Sequence, residues 1–287
     1  MENNSDINKI HSVNFSQIKS KKSLKLLFSE LRKLRKLPKF DLIIDMQGLL
    51  KSAIVAKIIP ANQTIGFDKN SIREPLAAKF YSDTCKIDYA QNIVKRNLAL
   101  VCEALEIKIT AAEIENKKPF LHFKKHTFKL AKTKQNIAII PGASSAAKIY
   151  PAEKYAQIAN ILDANFMIIW GNQAEKMMAE KIQQTAPEVH ISKQLALDEL
   201  KALLAKMDLV IGADTGPVHL AWALNVPSIT LFGPTPGSRN AYAGEINKIL
   251  QSESAVNPYK INKNDDSIKS IPVENIAKIA KKLLKNI

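Results

Sequence analysis

Residues 212–235 read GADTGPVHLAWALNVPSITLFGPT. The apolar run Leu209–Ile211 ends in Gly-Ala-Asp-Thr-Gly-Pro, an alanine-rich segment with one histidine follows, and a second apolar run, Ser228–Phe232, closes on Gly-Pro-Thr. A short apolar strand, a tight turn, a helix and another short strand produce this pattern. Repeated, it makes a parallel sheet covered on both faces.

The same alternation extends outward. KTKQNIAIIPGASSAAKIYPAEKYAQIANIL predicts a strand over 136–140, a loop of small residues and a helix from about Pro151. Further strands are expected at 166–170, 189–191, 208–213 and 228–232. In the first half, FDLIIDM (40–46) reads as a buried strand, residues 47–59 as a helix and 63–67 as a strand, with helices over 73–81 and 88–106. Residues 20–37, SKKSLKLLFSELRKLRKL, place Leu24, Leu27, Phe28, Leu31 and Leu34 on one face of a basic amphipathic helix ended near Pro38. Such a helix packs on its own sheet or adheres to an anionic membrane. The charged, poorly periodic stretch 110–134 reads as a linker, which divides the chain into an α/β domain over 1–133 and a second over 134–287.

Bulk properties bound the function. The 287 residues are 46% hydrophobic and 6% aromatic, ordinary for α/β protein. No apolar run approaches the roughly 18 residues needed to span a bilayer, and the start does not read as a signal peptide, so a cytoplasmic protein is expected, at most bound to a membrane surface. Two separated cysteines, Cys85 and Cys102, suit packing in a reducing compartment rather than a zinc site. The net charge of +15 is unevenly spread: residues 1–133 carry 25 Lys and Arg against 13 Asp and Glu, net +12, and the remainder +3. That asymmetry points to an acidic partner for the first half. Nucleic acid is disfavoured, because no recognition motif or aromatic pattern accompanies the lysines.

In open parallel sheets, ligands sit beyond the carboxyl ends of the strands. Three loops there stand out. PGASSAAKIYP (141–151) offers close backbone approach, the hydroxyls of Ser144 and Ser145, and Lys148 as a lone cation, which taken alone suits either a phosphate site or a plain loop with a solvated lysine. WGNQAEK (170–176) places Glu175 at a helix start, as a capping acid or as an acceptor for ribose hydroxyls. In the opening stretch, Asp214 or Thr215 can cap the helix, Gly216 permits the turn, and His219 lies in the first turn beside any bound anion. No GxGxxG or GxxxxGK[ST] is present, and no acidic pair or histidine cluster suggests a dedicated metal. A single DTG in α/β surroundings does not make an aspartic protease.

Four blocks carry a family likeness: DMQGLLKSA (45–53), IGFD with SIREPLAAKFY (65–81), PGAS with Lys148, Tyr150 and Pro151, and 212–235. Together they resemble the lipopolysaccharide heptosyltransferases, and among these the type I enzymes. The resemblance implies a two-domain GT-B fold and an inverting, metal-independent, cofactor-free transfer of L-glycero-D-manno-heptose from ADP-heptose to Kdo of Kdo2-lipid A at the inner face of the inner membrane. It assigns Lys148 to the diphosphate leaving group, Ser144 to a neighbouring hydroxyl contact, Glu175 to the ribose, and Asp214, Thr215, Gly216 and His219 to the donor turn. Lys51 and Arg73 become candidates for the acceptor's anionic groups. Tyr150 stands where the family often has tryptophan. Family members begin with a strand ending in a Leu-Gly-Asp-type turn whose aspartate is the general base. No such segment is found here, so an absence of roughly 50 residues, about one βαβ unit, is expected. The alternative to an active transferase is then a non-catalytic binder of nucleotide-sugar or anionic lipid. Asp45, ending a strand, is the best substitute base in this half, and helix capping is its competing role.

Overall fold

The computed structural model describes residues 4, 6–13 and 23–285, apart from the side chain of Leu24. The chain forms two compact units. One comprises residues 7–111; the other runs from Ala112 onward and includes Asp6, paired with His122 at 3.4 Å.

In the first unit, β1 (Phe40–Asp45), β2 (Ala61–Phe67) and β3 (Asp83–Cys85) make a parallel sheet in the order β1-β2-β3. The helix Leu50–Ile58 connects β1 to β2, and Ile93–Leu105 packs on the sheet. The core gathers Ala53, Ile65, Phe67, Ile72, Ala77, Tyr81, Cys85 and Leu100. Burial, with Glu103 alongside, pushes the Cys85 thiol up to about 12, so it behaves as a packing residue. The segment expected as a helix over 73–81 is a 3-10 turn, Pro75–Phe80, and the helix expected over 88–106 begins only at Ile93, capped by the Asn92 side chain on Val94 N at 3.0 Å.

The basic amphipathic segment forms the helix Leu24–Arg35, with Ser23 as N-cap; Lys21 and Lys22 lie outside the described residues. Leu34 is buried and Leu27 and Leu31 half-buried, but Phe28 is 68% exposed. It stands about 100° around the helix from Leu27, at the margin of the apolar stripe rather than within it.

The second unit is a six-stranded, wholly parallel sheet in the order β6-β5-β4-β7-β8-β9. Its strands are β4 (Asn136–Ile140), β5 (Asn165–Ile168), β6 (His190–Ile191), β7 (Leu209–Ala213), β8 (Ser228–Phe232) and β9 (Asn247–Gln251). Period-two alternation sends Ile137, Ile139, Leu209, Ile211, Ile229 and Leu231 to one face and Ala138, Ile140 and Val210 to the other. The first face is covered by the helices Ala152–Ile161, Gln173–Thr185 and Val273–Leu284. The second is covered by Leu197–Leu204 and Gly216–Ala223. Tyr150 is fully buried, edge-on to Tyr155 at 5.1 Å, and its hydroxyl donates to Ile271 O at 2.8 Å, so the smaller aromatic is accommodated at that position.

The boundary expected at 133/134 falls at 111/112. The stretch taken as a linker lies on the second unit, with Leu121, Phe123, Phe128 and Leu130 packed against the second face. It is fastened by polar contacts. Asp198 accepts from Lys124 N and His126 Nε2, both at 3.0 Å, and buried Lys201 donates to His122 O. At the C-terminal end of Gly216–Ala223, Lys117 Nζ donates to Trp222 O at 2.6 Å and to Asn225 Oδ1, while Asn225 Nδ2 returns a bond to Lys117 O at 2.7 Å. Isolated apolar residues separated by lysines show no helical or strand period, so sequence pattern does not reveal this strap.

Candidate functional site

In the second unit, β4 and β7 lie side by side at the centre, and the chain winds outward from them in opposite directions. The loops leaving their carboxyl ends border the crevice where parallel sheets bind ligands. Four such loops contribute polar groups.

The β7 loop supplies Asp214, whose side chain is 8% exposed. Thr215 occupies the N-cap position of Gly216–Ala223, with no side-chain capping bond, and Asp214 faces the β4 loop instead. Its Oδ2 accepts from Lys148 Nζ at 2.6 Å and its Oδ1 is 3.0 Å from His219 Nε2. Burial alone would raise the Asp214 carboxyl. Hydrogen bonds from His219 and Lys148, with the Lys148 charge, outweigh that and hold it well below the usual carboxylate range. Lys148, 14% exposed, is carried by a 3-10 turn, Ala146–Lys148. Ser144 is exposed on the same loop. A side chain at Gly216 would meet no atom within 4 Å, which leaves open space beside the helix start.

Glu175, after β5, takes part in a reciprocal cap. Asn172 Oδ1 accepts from Glu175 N at 3.1 Å, while Glu175 accepts from Asn172 Nδ2 and Gly171 N, both at 2.7 Å. Its carboxylate also lies against Gly142 of the β4 loop, where a Cβ would fall 2.3 Å from Glu175 Cδ. The missing side chain is what lets the two loops meet. Glu175 is therefore held within the same cluster of loops as Lys148, and its capping and ligand-facing readings are compatible.

Sequence reasoning assigned no residue in the loop after β8. The structure places Thr235 Oγ1 3.2 Å and Asn240 Nδ2 3.3 Å from Asp214 Oδ2. The available signal was positional: Gly-Pro-Thr follows a core strand of the same sheet.

In the first unit, Leu50 N donates to Glu74 Oε2 at 2.7 Å. This bond brings QGLLKSA and SIREPLA together, so exposed Lys51 and Arg73 are the chain neighbours of the bonded pair. Lys51 borders an open groove of about 840 Å³ along β1, lined by Ile43, Val55 and Ile59 among others. Asp45 also lines that groove, but its carboxylate is engaged by four donors. Its Oδ1 accepts from Gln47 N (2.9 Å) and Gly48 N (3.4 Å), and its Oδ2 from Ser52 Oγ and Tyr81 OH, both 2.7 Å. Asp45 holds the turn into the helix, where Gly48 adopts φ of +62°.

A profile of glycosyltransferase family 9 (heptosyltransferase) matches residues 28–268. The chain belongs to this family. Lipopolysaccharide heptosyltransferase 1 of Campylobacter coli is 35% identical over 99% of this chain and 86% of that protein. The enzyme of the same name from Pseudomonas aeruginosa is 29% identical over 71% of this chain and 57% of that one. The solved E. coli heptosyltransferase WaaC with ADP superposes with a TM-score of 0.78 at 19% identity, covering 98% of this chain and 86% of the other. WaaC with ADP-2-deoxy-2-fluoro heptose gives 0.76, also at 19% identity, covering 98% and 85%. The fold is thus the two-unit α/β GT-B architecture that the sequence resemblance implied, and this family 9 member is a heptosyltransferase of lipopolysaccharide core biosynthesis.

Proposed function

We propose that this family 9 heptosyltransferase transfers L-glycero-D-manno-heptose, with inversion and without a metal, from ADP-heptose to Kdo of Kdo2-lipid A. The observation that carries the donor half is the meeting of Lys148, Asp214 and His219 at the β4/β7 crevice, with Glu175 drawn in across Gly142. In this reading the diphosphate lies beside Lys148, Ser144 and the open space at Gly216. The N-terminal end of the helix Gly216–Ala223 adds its dipole, and Thr215 and His219 flank the phosphates. Glu175 accepts from the ribose hydroxyls, as carboxylates after a strand do in nucleotide sites. As the sugar bond breaks, negative charge grows on the departing diphosphate, and a lysine held by Asp214 at a largely buried site stabilises it far better than one free in water. Among the described residues no group of three or more His, Cys, Asp or Glu is placed to hold a metal ion. Similar heptosyltransferases, solved with ADP and with ADP-2-deoxy-2-fluoro heptose, support the same donor.

The acceptor half of the proposal rests on the basic first half of the chain. Lys51 and Arg73 are offered as partners for the acceptor's carboxylates and phosphates. The exposed basic helix Leu24–Arg35 with Phe28 is offered as a seat on the anionic cytoplasmic face of the inner membrane, where the acceptor lipid would be met. Among the described residues, no helix is long and apolar enough to cross a membrane. Calorimetry with ADP, in the presence and absence of a chelator, tests the donor site: saturable binding unaffected by chelation is expected, and absence of binding removes the reading.

A further inference from the structure

Asp214 Oδ2 has more donors than lone pairs. Lys148 Nζ at 2.6 Å, Thr235 Oγ1 at 3.2 Å and Asn240 Nδ2 at 3.3 Å all converge on it, while Oδ1 serves His219. A carboxylate oxygen offers two good acceptor directions, so three donors on one oxygen is more than a static arrangement requires. Lys148 is also the cation that the proposed function directs to the donor diphosphate. Its ammonium carries three donors, and as it turns towards a phosphate oxygen its 2.6 Å hold on Asp214 loosens, leaving a carboxylate that is 8% exposed with a weakened counter-charge it cannot replace from water.

Thr235 and Asn240 are built to meet that situation. Thr235 is 1% exposed, so its hydroxyl has a protein acceptor rather than solvent. Asn240 is oriented by Arg239, whose Nη1 donates to Asn240 Oδ1 at 3.1 Å and so turns the amide nitrogen towards Asp214. Both residues come from the β8 loop, separate in sequence from the loops that carry Lys148 and His219.

We propose that Thr235 and Asn240 are positioning residues which keep the Asp214 carboxylate fixed and ionised while Lys148 turns towards the diphosphate of a bound ADP-sugar. This rests on the donor assignment above. No covalent bond changes; one ammonium divides its donors between a carboxylate and a phosphate acceptor, and two neutral donors remain on the carboxylate oxygen. The charged or titratable groups around the carboxylate are Lys148 from the β4 loop, His219 from the helix Gly216–Ala223 and, through Asn240, Arg239 from the β8 loop.

The test uses the full chain as wild type, Thr235→Val, Thr235→Ser and Asn240→Ala, with ADP as the probe. Calorimetry near neutral pH is combined with carbon NMR of the Asp214 carboxyl, followed through acid pH to below the usual carboxylate range. Thr235→Val and Asn240→Ala should each weaken ADP roughly tenfold, the scale of one hydrogen bond to a charged group. Both should also let the carboxyl titrate at higher pH. Thr235→Ser, which keeps the donor, should remain within about twofold of wild type on the same scale. ADP affinity unchanged in both Thr235→Val and Asn240→Ala overturns the inference, as does a Thr235→Ser as weak as Thr235→Val, which would assign the effect to packing of the methyl group. Failure of the wild type to bind ADP would remove the donor assignment, whereas identical carboxyl titration in all four proteins would remove the positioning role.

Discussion

Replacing Lys148 by methionine retains most of the side chain's length and deletes only its charge and hydrogen bonds. Taking one partner from a buried ion pair generally costs about 3–5 kcal/mol. Here Asp214 keeps His219 at 3.0 Å, Thr235 at 3.2 Å and Asn240 at 3.3 Å, so the loss should be smaller. About 2–3 kcal/mol is expected, which at roughly 2–4 °C per kcal/mol for a unit of this size lowers the melting temperature by about 5–10 °C. The effect has a direction in pH. The folded Asp214 carboxyl lies below its unfolded value of about 3.9. Its stabilisation is complete above that value and is lost as pH falls through the folded pKa. Lys148→Met reduces the depression, so the loss due to Asp214 still begins near the unfolded value but should be smaller, and complete at a higher pH, than in the wild type. ADP binding should weaken by about 1–3 kcal/mol, the contribution of a charged hydrogen bond. Differential scanning calorimetry across pH, paired with ADP titration, measures both effects. An unchanged acid limb would show that Lys148 does not set the state of Asp214. An unchanged ADP affinity would remove Lys148 from the donor site.

Gly142→Ala should drive the Glu175 carboxylate from its place, since the new Cβ would lie 2.4 Å from Oε1; a loss of ADP affinity with about 1 kcal/mol or less of destabilisation is expected, and calorimetry compares the two. Tyr81→Phe removes one of four donors to buried Asp45 and should destabilise the first unit by about 1–2 kcal/mol in urea unfolding without altering ADP binding. Phe28→Ala should reduce co-sedimentation with anionic vesicles, and binding of the wild type should fall with salt over a screening length of roughly 8 Å at physiological ionic strength. Salt-independent binding, or binding unaffected by the substitution, would exclude this helix as the membrane seat.

The parallel sheet was legible because its inner strands, NIAII, LVIGA and SITLF, are uninterrupted apolar runs, as strands buried on both faces must be. β9, NKILQ, was not identified: it is an edge strand with Lys248 and Gln251 among its five residues, and pattern alone does not separate it from a loop. β3 has only three residues. In the site, Lys148, Asp214 and His219 stand out as polar residues just after core strands, and their convergence follows from β4 and β7 being neighbours. Thr235 and Asn240 were missed because their role depends on a partner 21 and 26 residues away, across a turn that reads as Pro-Gly punctuation. The left-handed Asn225, φ +56°, was equally unmarked, since its usefulness lies in the carbonyl and ammonium of Lys117, 108 residues earlier.

That strap determines where the polypeptide can be severed. A second-unit fragment started at residue 134, as hydropathy would suggest, would strip Leu121, Phe123, Phe128 and Leu130 from one side of the sheet and leave their apolar seat wet. It would also leave Lys201 and Asp198 without the main-chain and imidazole partners they hold in the strap. Started at residue 112, the same fragment carries its own covering and its own fastening to the far end of the helix that opens at Gly216. Some twenty residues that resemble disposable connecting chain are thus part of the wall of the second unit. Fragment swaps between relatives should move them with that unit.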